Sequence, residues 1–144
     1  MKVYIEKCHE DAVIPSYAKS GDAGMDVYAI EDVILMPGET DIVPIGIKVA
    51  IPDGYELQVR PRSGLSLKTS LRVANAPGTI DSGYRDEICV IMTNISDENL
   101  AIIKKGDRIA QFVLQQVPRV EWEEVNSVSK IGEDRGGGFG STGK

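Results

Sequence analysis

Histidine and cysteine are scarce in this sequence: its 144 residues include one histidine, His9, and two cysteines, Cys8 and Cys89. A single histidine leaves no basis for a His-centred triad, and none of the three residues has the spacing of a zinc site. Two distant cysteines are typical of free thiols in a reducing compartment, so we expect buried or half-buried thiols in a cytoplasmic protein. Catalysis would have to rest on carboxylates, hydroxyl groups or a bound metal.

The sequence also lacks a long apolar run and an excess of basic residues. No segment approaches the ~20 apolar residues of a membrane-spanning helix, and residues 1–7 lack the apolar core of a signal peptide. The net charge is −6. Because nucleic-acid binding needs a basic surface that neutralises phosphates, we expect neither nucleic acid nor a membrane as a partner. A small anion can still bind where basic residues cluster or a divalent cation accompanies it.

The sequence does contain a series of short strands separated by turns. Residues 87–93 are apolar at successive positions, which favours a strand buried on both faces, whereas the three earlier segments alternate with a period of about two. Regular strands without a long helical period predict an all-β antiparallel sandwich or barrel. One short helix is predicted at residues 63–68, with Ser63 as its cap. The predicted strands are residues 3–7, 42–49, 55–60, 87–93 and 107–115.

The length fits one domain with a substantial core. The strand pattern fades after Trp122 into a polar, charged stretch. We therefore expect a β domain over residues 1–125 and a flexible arm over residues 126–144, with Pro118 as the hinge where the arm leaves the domain.

The end of the arm, residues 135–143, contains five glycines. Such a segment loses much conformational entropy on ordering, yet it also carries a guanidinium, an aromatic ring and two hydroxyl groups. This composition suits a ligand with a flat ring at one end and oxyanions at the other. A frayed terminus is the alternative, but the ring and the guanidinium favour a lid that closes over a ligand.

Three internal segments carry candidate binding or catalytic groups. In the first, Arg62, Ser63 and Gly64 follow a predicted strand and open the predicted helix. The free N–H groups of a helix N-terminus, a hydroxyl group and an adjacent guanidinium can together bind an anion. Ordinary capping by Ser63 accounts for the same residues without a ligand.

The second segment, residues 75–88, has Pro-Gly and Ser-Gly turns on either side of a predicted tight hairpin that carries Asp81 and Tyr84. An aspartate in a turn often binds its own backbone and a tyrosine beside a turn often packs, so a structural role stays open for both. The third segment contains Gly24, which permits close approach of the backbone, and Asp26. That carboxylate could hold a hydrated cation or a neighbouring arginine, and a structural role is an equal alternative.

In their order and content, these segments resemble the five motifs of the homotrimeric dUTP pyrophosphatases (dUTPases). Two positions depart from the family pattern: Asp86 stands where a glycine usually follows Tyr-Arg, and Arg135 lies one residue closer to Phe139 than usual. The five motifs are residues 23–29, 61–66, 78–85, 106–111 and the tail around Phe139.

Two other classes are less compatible with the sequence. The deoxycytidine triphosphate deaminases share the fold but lack the glycine-rich tail, and a carbohydrate-binding jelly roll would show aromatic platforms.

This resemblance implies a β jelly roll that assembles as a homotrimer, with each active site built from three subunits. It implies hydrolysis of dUTP to dUMP and pyrophosphate, with Mg²⁺ on the triphosphate. Such an activity limits uracil incorporation into DNA and supplies dUMP for thymidylate synthesis. A regulatory protein that keeps the same fold is the alternative from another class, and an intact Asp81 and tail argue for a retained catalytic function.

The resemblance also implies a role for individual residues. Asp81 would be the general base for the attacking water, and Tyr84 would lie against the deoxyribose, leaving no room for a 2′-hydroxyl. Asp26 would hold a water molecule of the Mg²⁺. The other implied contacts are Asn75, Gly78, Thr79 and Ile80 with the uracil; Arg62, Ser63, Gly64 and Gln111 with the phosphates; and, from the arm, Phe139 stacked on the uracil, Arg135, Ser141 and Thr142 at the terminal phosphate, and Gly140.

Overall fold

The structure, a computed structural model, describes residues 1–137. These residues contain eleven short strands and one short helix. Among these residues no helix is long and apolar enough to cross a membrane. The elements are β1 (Tyr4–Lys7), β2 (Met25–Tyr28), β3 (Val33–Leu35), β4 (Thr40–Pro44), β5 (Ile47–Ala50), β6 (Tyr55–Arg60), α1 (Ser63–Lys68), β7 (Leu71–Val73), β8 (Gly78–Ile80), β9 (Cys89–Asn94), β10 (Ala101–Ile103) and β11 (Arg108–Gln116).

The strands form four small sheets, and the predicted antiparallel all-β fold is confirmed. The largest sheet has the order β2-β11-β6-β8, and the next has the order β4-β9-β7. Two-stranded sheets, β1-β5 and β10-β3, complete the arrangement. Most paired strands are distant in sequence, as expected of a jelly roll.

A single apolar core holds the sheets together. Leu57 and Val59 of β6 and Phe112 of β11 are buried in the same cluster as Val90 and Met92 of β9. Because this cluster takes side chains from both larger sheets, the core lies between them. The alternating buried pattern of β6 is the one that its sequence predicts.

The predicted strand at residues 42–49 is wrong in one respect, because the chain breaks it into β4 and β5 at Gly46. Gly46 has φ of +68°, and an added Cβ would lie 2.8 Å from the Cβ of His9 and 2.9 Å from that of Ala12. Its N–H donates to Oε1 of Glu87 at 3.0 Å instead of to a strand partner. The apolar alternation continues through the break, so a period of two could not reveal it.

The strand predicted at residues 87–93 is β9, and its expected burial on both faces is wrong. Its burial alternates, and Ile91 is 36% exposed beside its more exposed register partner, Ile42 of β4. The predicted helix is confirmed, but its N-cap is Arg62, and no side chain caps it. Ser63 is instead the first helical residue, so its expected capping role is wrong.

The predicted hairpin at residues 75–88 is also different in the structure. β8 pairs with β6, and β7 pairs with β9, so the two strands around Asn75 belong to different sheets. β8 ends in a turn in which the N–H of Tyr84 donates to the carbonyl oxygen of Asp81 at 3.1 Å. The predicted turn is therefore present, but turn residues do not specify which strands pair.

The two cysteines are free, as predicted. Cys8 follows the exposed strand β1 and is itself exposed, so the expectation of a buried or half-buried thiol is wrong for this residue. Cys89 is half-buried, and its burial, aided by the Glu87 carboxylate, raises the pKa of its thiol.

The turn before β11 is tied to two earlier loops by ion pairs. Nζ of Lys105 lies 2.6 Å from Oδ2 of Asp11, and Nζ of Lys104 lies 2.9 Å from Oδ2 of Asp32. The hydrogen bond from the Lys105 side chain lowers the pKa of Asp11. The pKa of Asp32 is lowered mainly by a hydrogen bond from the backbone N–H of Lys105, and also by one from the Lys104 ammonium group. Because both pairs are exposed, each contributes little to the stability of the domain.

Beyond Gln116, residues 117–137 contain no helix or strand. Trp122 in this stretch is 90% exposed. The division at residue 125 stays a prediction.

Asn94 is a buried polar residue that joins the end of β3 to the loop between β9 and β10. Its side-chain nitrogen donates to the carbonyl oxygens of Leu35 at 3.1 Å and of Asn99 at 2.8 Å. Its side-chain oxygen accepts a hydrogen bond from the N–H of Ser96 at 3.0 Å. Because Asn94 is fully buried, water cannot replace these partners.

We expect Asn94→Ala to lower the free energy of unfolding by about 2–4 kcal/mol, because it leaves several buried backbone groups without partners. The matched control is Asn99→Ala, since the Asn99 side chain is exposed and makes no hydrogen bond with residues 1–137. Thermal unfolding midpoints at one protein concentration give the comparison. Equal midpoints for the two variants would contradict the role of Asn94.

Candidate active site

The clearest cluster of charged side chains surrounds Asp26. Asp26 lies on β2, where it is paired in register with Gln111 of β11. Its Oδ1 accepts a hydrogen bond from Nε of Arg62 at 2.7 Å, and its Oδ2 accepts one from Nη1 of Arg108 at 3.2 Å. The structure therefore places Asp26 against neighbouring arginines, one of the roles that its sequence left open.

A β-bulge in β11 brings Arg108 into this cluster. Arg108 pairs with Tyr28, whereas Ala110 pairs with Val27, so β11 has one extra residue at this point. Residues 108 and 111 would point to opposite faces of a regular strand. The bulge changes the alternation, and Arg108 and Gln111 line one cavity together.

This cavity has a volume of about 400 Å³ and a mostly polar lining. Its wall includes Asp22, Gly24, Asp26, Arg108 and Gln111. Two guanidinium groups share the Asp26 carboxylate beside it, and the Asp22 carboxylate in the wall offsets their excess positive charge. The guanidinium groups can still donate charge-assisted hydrogen bonds to a small anion, even though the whole chain is acidic.

Gln111 is held in place by close approach of the backbone. Its Nε2 donates to the carbonyl oxygen of Pro61 at 2.9 Å. A Cβ on residue 24 would lie 2.1 Å from its Oε1, so only glycine fits at that position with Gln111 in this rotamer. The prediction that Gly24 permits a close approach is confirmed, and the group that approaches is Gln111.

The start of α1 lies next to this cluster through Arg62. Arg62 is half-buried, whereas Ser63 and Gly64 are exposed. A Cβ added to Gly64 would meet nothing within 4 Å in the chain, so internal packing does not explain this glycine. Open space beside a guanidinium is compatible with the predicted anion site.

Asp81 and Tyr84 lie together in the turn after β8, apart from the Asp26 cluster. Tyr84 donates its hydroxyl hydrogen to the carbonyl oxygen of Glu87 at 2.9 Å, which fixes the ring. Asp81 is exposed and lines a separate cavity of about 370 Å³ with Glu56 and Arg119. Within one chain, the predicted base Asp81 and the predicted phosphate-binding residue Gln111 therefore line different cavities.

The predicted uracil-binding segment contributes mainly backbone. Gly78 is buried against β6, where an added Cβ would lie 3.1 Å from Cβ of Val59. Thr79 and Asn75 are exposed, and Ile80 is half-buried. A third cavity, of about 470 Å³, is lined by Ala76 and Pro77 together with Arg60, Pro61 and Gln111. It brings the segment after Asn75 close to the phosphate-binding side chains.

The structure describes only part of the predicted lid. Arg135 is exposed. The other predicted lid residues lie outside the described residues, and they are Phe139, Gly140, Ser141 and Thr142.

Sequence reasoning missed two arginines, Arg108 and Arg119. Arg119 donates from Nη2 to Oδ1 of Asp53 at 3.3 Å and lines the cavity of Asp81. The odd spacing between Arg108 and Gln111 hides their common face, because only a bulge puts residues three apart in a strand on one side. Arg119 follows the last strand, where no periodicity applies.

The potential metal ligands of the chain can be compared with those that Mg²⁺ prefers. Among residues 1–137 no group of three or more His, Cys, Asp or Glu side chains is arranged to hold a metal ion. Mg²⁺ is commonly bound by one or two carboxylates together with substrate phosphates and water. Asp26 supplies a single carboxylate with spare lone pairs in the wall of the 400 Å³ cavity. Such a carboxylate fits a metal that is already bound to a phosphorylated ligand.

Comparison with known proteins identifies the family of the chain. The sequence model of the dUTPase family matches residues 10–143. The chain therefore belongs to the dUTPase family. It is 49% identical to the deoxyuridine 5′-triphosphate nucleotidohydrolase of Hydrogenobaculum sp. (strain Y04AAS1) over 99% of each chain. It is 45% identical to the protein of the same name from Helicobacter pylori (strain J99 / ATCC 700824), over 99% of this chain and 97% of the relative.

Solved structures of phage dUTPases have the same fold. The dUTPase of Staphylococcus bacteriophage 80alpha with dUPNHPP superposes with a TM-score of 0.90 at 27% identity, covering 99% of each chain. A mutant dUTPase from phage phi11 of S. aureus, whose structure concerns coordination of a structural Mg(II) ion, gives a TM-score of 0.82 at 25% identity. That match covers 88% of this chain and 98% of the phage protein.

We expect Gly24→Ala to displace the Gln111 side chain without unfolding the domain. The flexible end of Gln111 can rotate away from the new Cβ, so the melting temperature should change by no more than about 2–4 °C. A crystal structure of the variant should show the hydrogen bond to Pro61 broken. Gly64→Ala is the control, because its added Cβ has open space. An intact bond in Gly24→Ala would contradict this account.

Proposed function

We propose that this chain is a dUTP pyrophosphatase, which hydrolyses dUTP to dUMP and pyrophosphate in the presence of Mg²⁺ in the cytoplasm. The observation that carries the proposal is the family match over residues 10–143. The cluster of Asp26, Arg62 and Gln111 supports it, because its guanidinium and amide groups can donate hydrogen bonds to phosphates beside a cavity of about 400 Å³. The absence of a catalytic histidine is no obstacle, since an aspartate can serve as the base.

The triphosphate would bind at the start of α1. Nε of Arg62 is used by Asp26, and its Nη1 donates to the carbonyl oxygen of Arg108 at 3.3 Å. These two bonds fix the plane of the guanidinium and direct its remaining edge outwards. Ser63 and Gly64 add a hydroxyl group and exposed backbone, and Gln111 has a second amide hydrogen to donate. Together these groups would orient the phosphates for in-line attack.

Asp81 would act as the general base. Its carboxylate would accept a proton from the attacking water as the new P–O bond forms, while the pyrophosphate oxygen leaves with the bonding electron pair. Mg²⁺ on the triphosphate, held through water by Asp26, would neutralise the charge that develops on the phosphate oxygens. The exposed position of Asp81 on a tight turn suits a group that must reach a ligand bound by another surface.

Base and sugar would be selected by the segment around β8. Backbone groups of Gly78, Thr79 and Ile80 and the amide of Asn75 would pair with the uracil edge. Cytosine presents a donor where uracil presents an acceptor, and unpaired polar groups in such a site reject the wrong base by ~10⁴-fold or more. The ring of Tyr84, fixed by its bond to Glu87, would fill the space that a ribose 2′-hydroxyl needs.

We further propose that the protein is a homotrimer with active sites between subunits. Asp81 and the Asp26 cluster line different cavities of one chain, so a site that contains both requires another copy. Ile42 and Ile91 form an exposed apolar pair on the β4-β9-β7 sheet, which favours burial against another subunit. Exposed Val120 and Trp122, in the stretch that follows β11, would pack on a neighbouring subunit.

The end of the arm would then close the site. We propose that Phe139 stacks on the uracil, that Arg135, Ser141 and Thr142 bind the terminal phosphate, and that Gly140 allows the close approach. Closure would exclude water from the phosphates and strengthen each charged contact.

A pyrophosphate-release assay tests the proposed activity. We expect Mg²⁺-dependent turnover of dUTP and little turnover of dCTP, dTTP or UTP. Asp81→Asn should lower kcat by ~10²- to 10⁴-fold, the usual weight of a general base. Asp86→Asn, an exposed carboxylate in the same turn, is the control and should retain activity. Near wild-type kcat in Asp81→Asn would contradict the assignment, and equal turnover of all four nucleotides would contradict the proposed substrate.

Mixing two inactive variants tests whether subunits share sites. Asp81→Asn and Arg62→Ala should each form inactive trimers. If Asp81 and Arg62 of one site come from different subunits, refolding an equal mixture should recover about a quarter of the sites, the statistical fraction with both residues intact. Sedimentation must show trimers in each sample. No recovery in mixed trimers would place both residues of a site in the same subunit.

A further inference from the structure

Arg108 has no role in the proposed function, yet an irregularity in β11 directs its side chain into the site. The β-bulge between Arg108 and Ala110 interrupts the regular pairing of β11 with β2. Without the extra residue, Arg108 and Gln111 could not line the same cavity. Bulges of this kind often redirect a side chain near a functional site.

Arg108 contacts Arg62 by two routes. Its Nη1 donates to Oδ2 of Asp26 at 3.2 Å, while Oδ1 of the same carboxylate binds Nε of Arg62 at 2.7 Å. Its carbonyl oxygen also accepts a hydrogen bond from Nη1 of Arg62 at 3.3 Å. The carboxylate therefore has a cation on each oxygen, which fixes the direction in which it points.

The geometry points to Arg108 as a positioning residue that holds Asp26, and through Asp26 holds Arg62 ready for the phosphates of the nucleotide. This inference rests on the proposed function, since it concerns the same site. Arg62 is a long side chain that must be ordered before it can bind a planar pair of oxygens. A carboxylate fixed on both sides provides that order in advance, so less of the binding free energy is lost on ligand binding.

An alternative role for Arg108 is direct contact with a phosphate, because its side chain is 55% exposed. The two roles differ in their dependence on Asp26. A positioning role needs the Asp26 carboxylate, whereas a direct contact does not. A double-mutant cycle separates them.

The experiment measures the dissociation constant of a non-hydrolysable dUTP analogue with Mg²⁺, together with kcat and KM for dUTP. We expect Arg108→Met to raise the dissociation constant and KM about tenfold, the effect of losing one charge-assisted hydrogen bond, with a smaller change in kcat. Arg108→Lys should recover part of the affinity, because an ammonium group can still pair with Oδ2 of Asp26. In an Asp26→Asn background, Arg108→Met should change affinity by less than about twofold.

The control is Lys104→Met, which removes another exposed cation paired with an aspartate, Asp32, but outside the site. It should leave analogue affinity unchanged. A tenfold effect of Arg108→Met that persists with Asp26→Asn, or no effect in the otherwise unchanged protein, would overturn the inference. If Arg108→Met fails to fold, Arg108→Gln and Arg108→Lys supply the same comparison. A wild-type protein that does not bind the analogue would contradict the proposed function itself.

Discussion

The pairing of β11 with strands on both sides is the interaction on which the rest of the structure depends. The first half of β11, residues 108–112, pairs with β2 on one side, and residues 111–116 pair with β6 on the other. Its apolar side chains, such as Phe112, enter the core, while Gln111 lines the cavity beside Asp26. Since these backbone pairs set the register of three strands, they also set which side chains meet around Asp26.

The site illustrates how an acidic protein can bind an anion. The net charge of −6 would repel a triphosphate from the molecule as a whole. Arg62 and Arg108 lie on either side of Asp26, so two guanidinium groups are concentrated beside a cavity that Asp22 also lines. The close contact of Gly24 with Gln111 and the bond from Gln111 to Pro61 keep this local arrangement in place. Mg²⁺ bound to the substrate would further lower the charge that the protein must neutralise.

Much of the fold and part of the site could be predicted from the sequence. The bounds of β6 and α1 agree with the prediction, because clean alternation and a short interruption between strand signals are local properties. The break at Gly46 was missed because apolar alternation continues across it, and the exposure of Ile91 was missed because an apolar run does not show which face is covered. The pairing of β8 with β6 depends on residues about 20 positions apart, which turn signals cannot specify.

By itself, the sequence determined the fold class, the family resemblance and the residue types available for chemistry, because periodicity, turn residues and motif order are properties of the linear chain. Only the tertiary structure decided that Asp26 binds two arginines, that Arg108 belongs to the site and that Asp81 lines a different cavity. Each of these depends on strand register and on one β-bulge, where a shift of a single residue moves a side chain to the opposite face of the sheet.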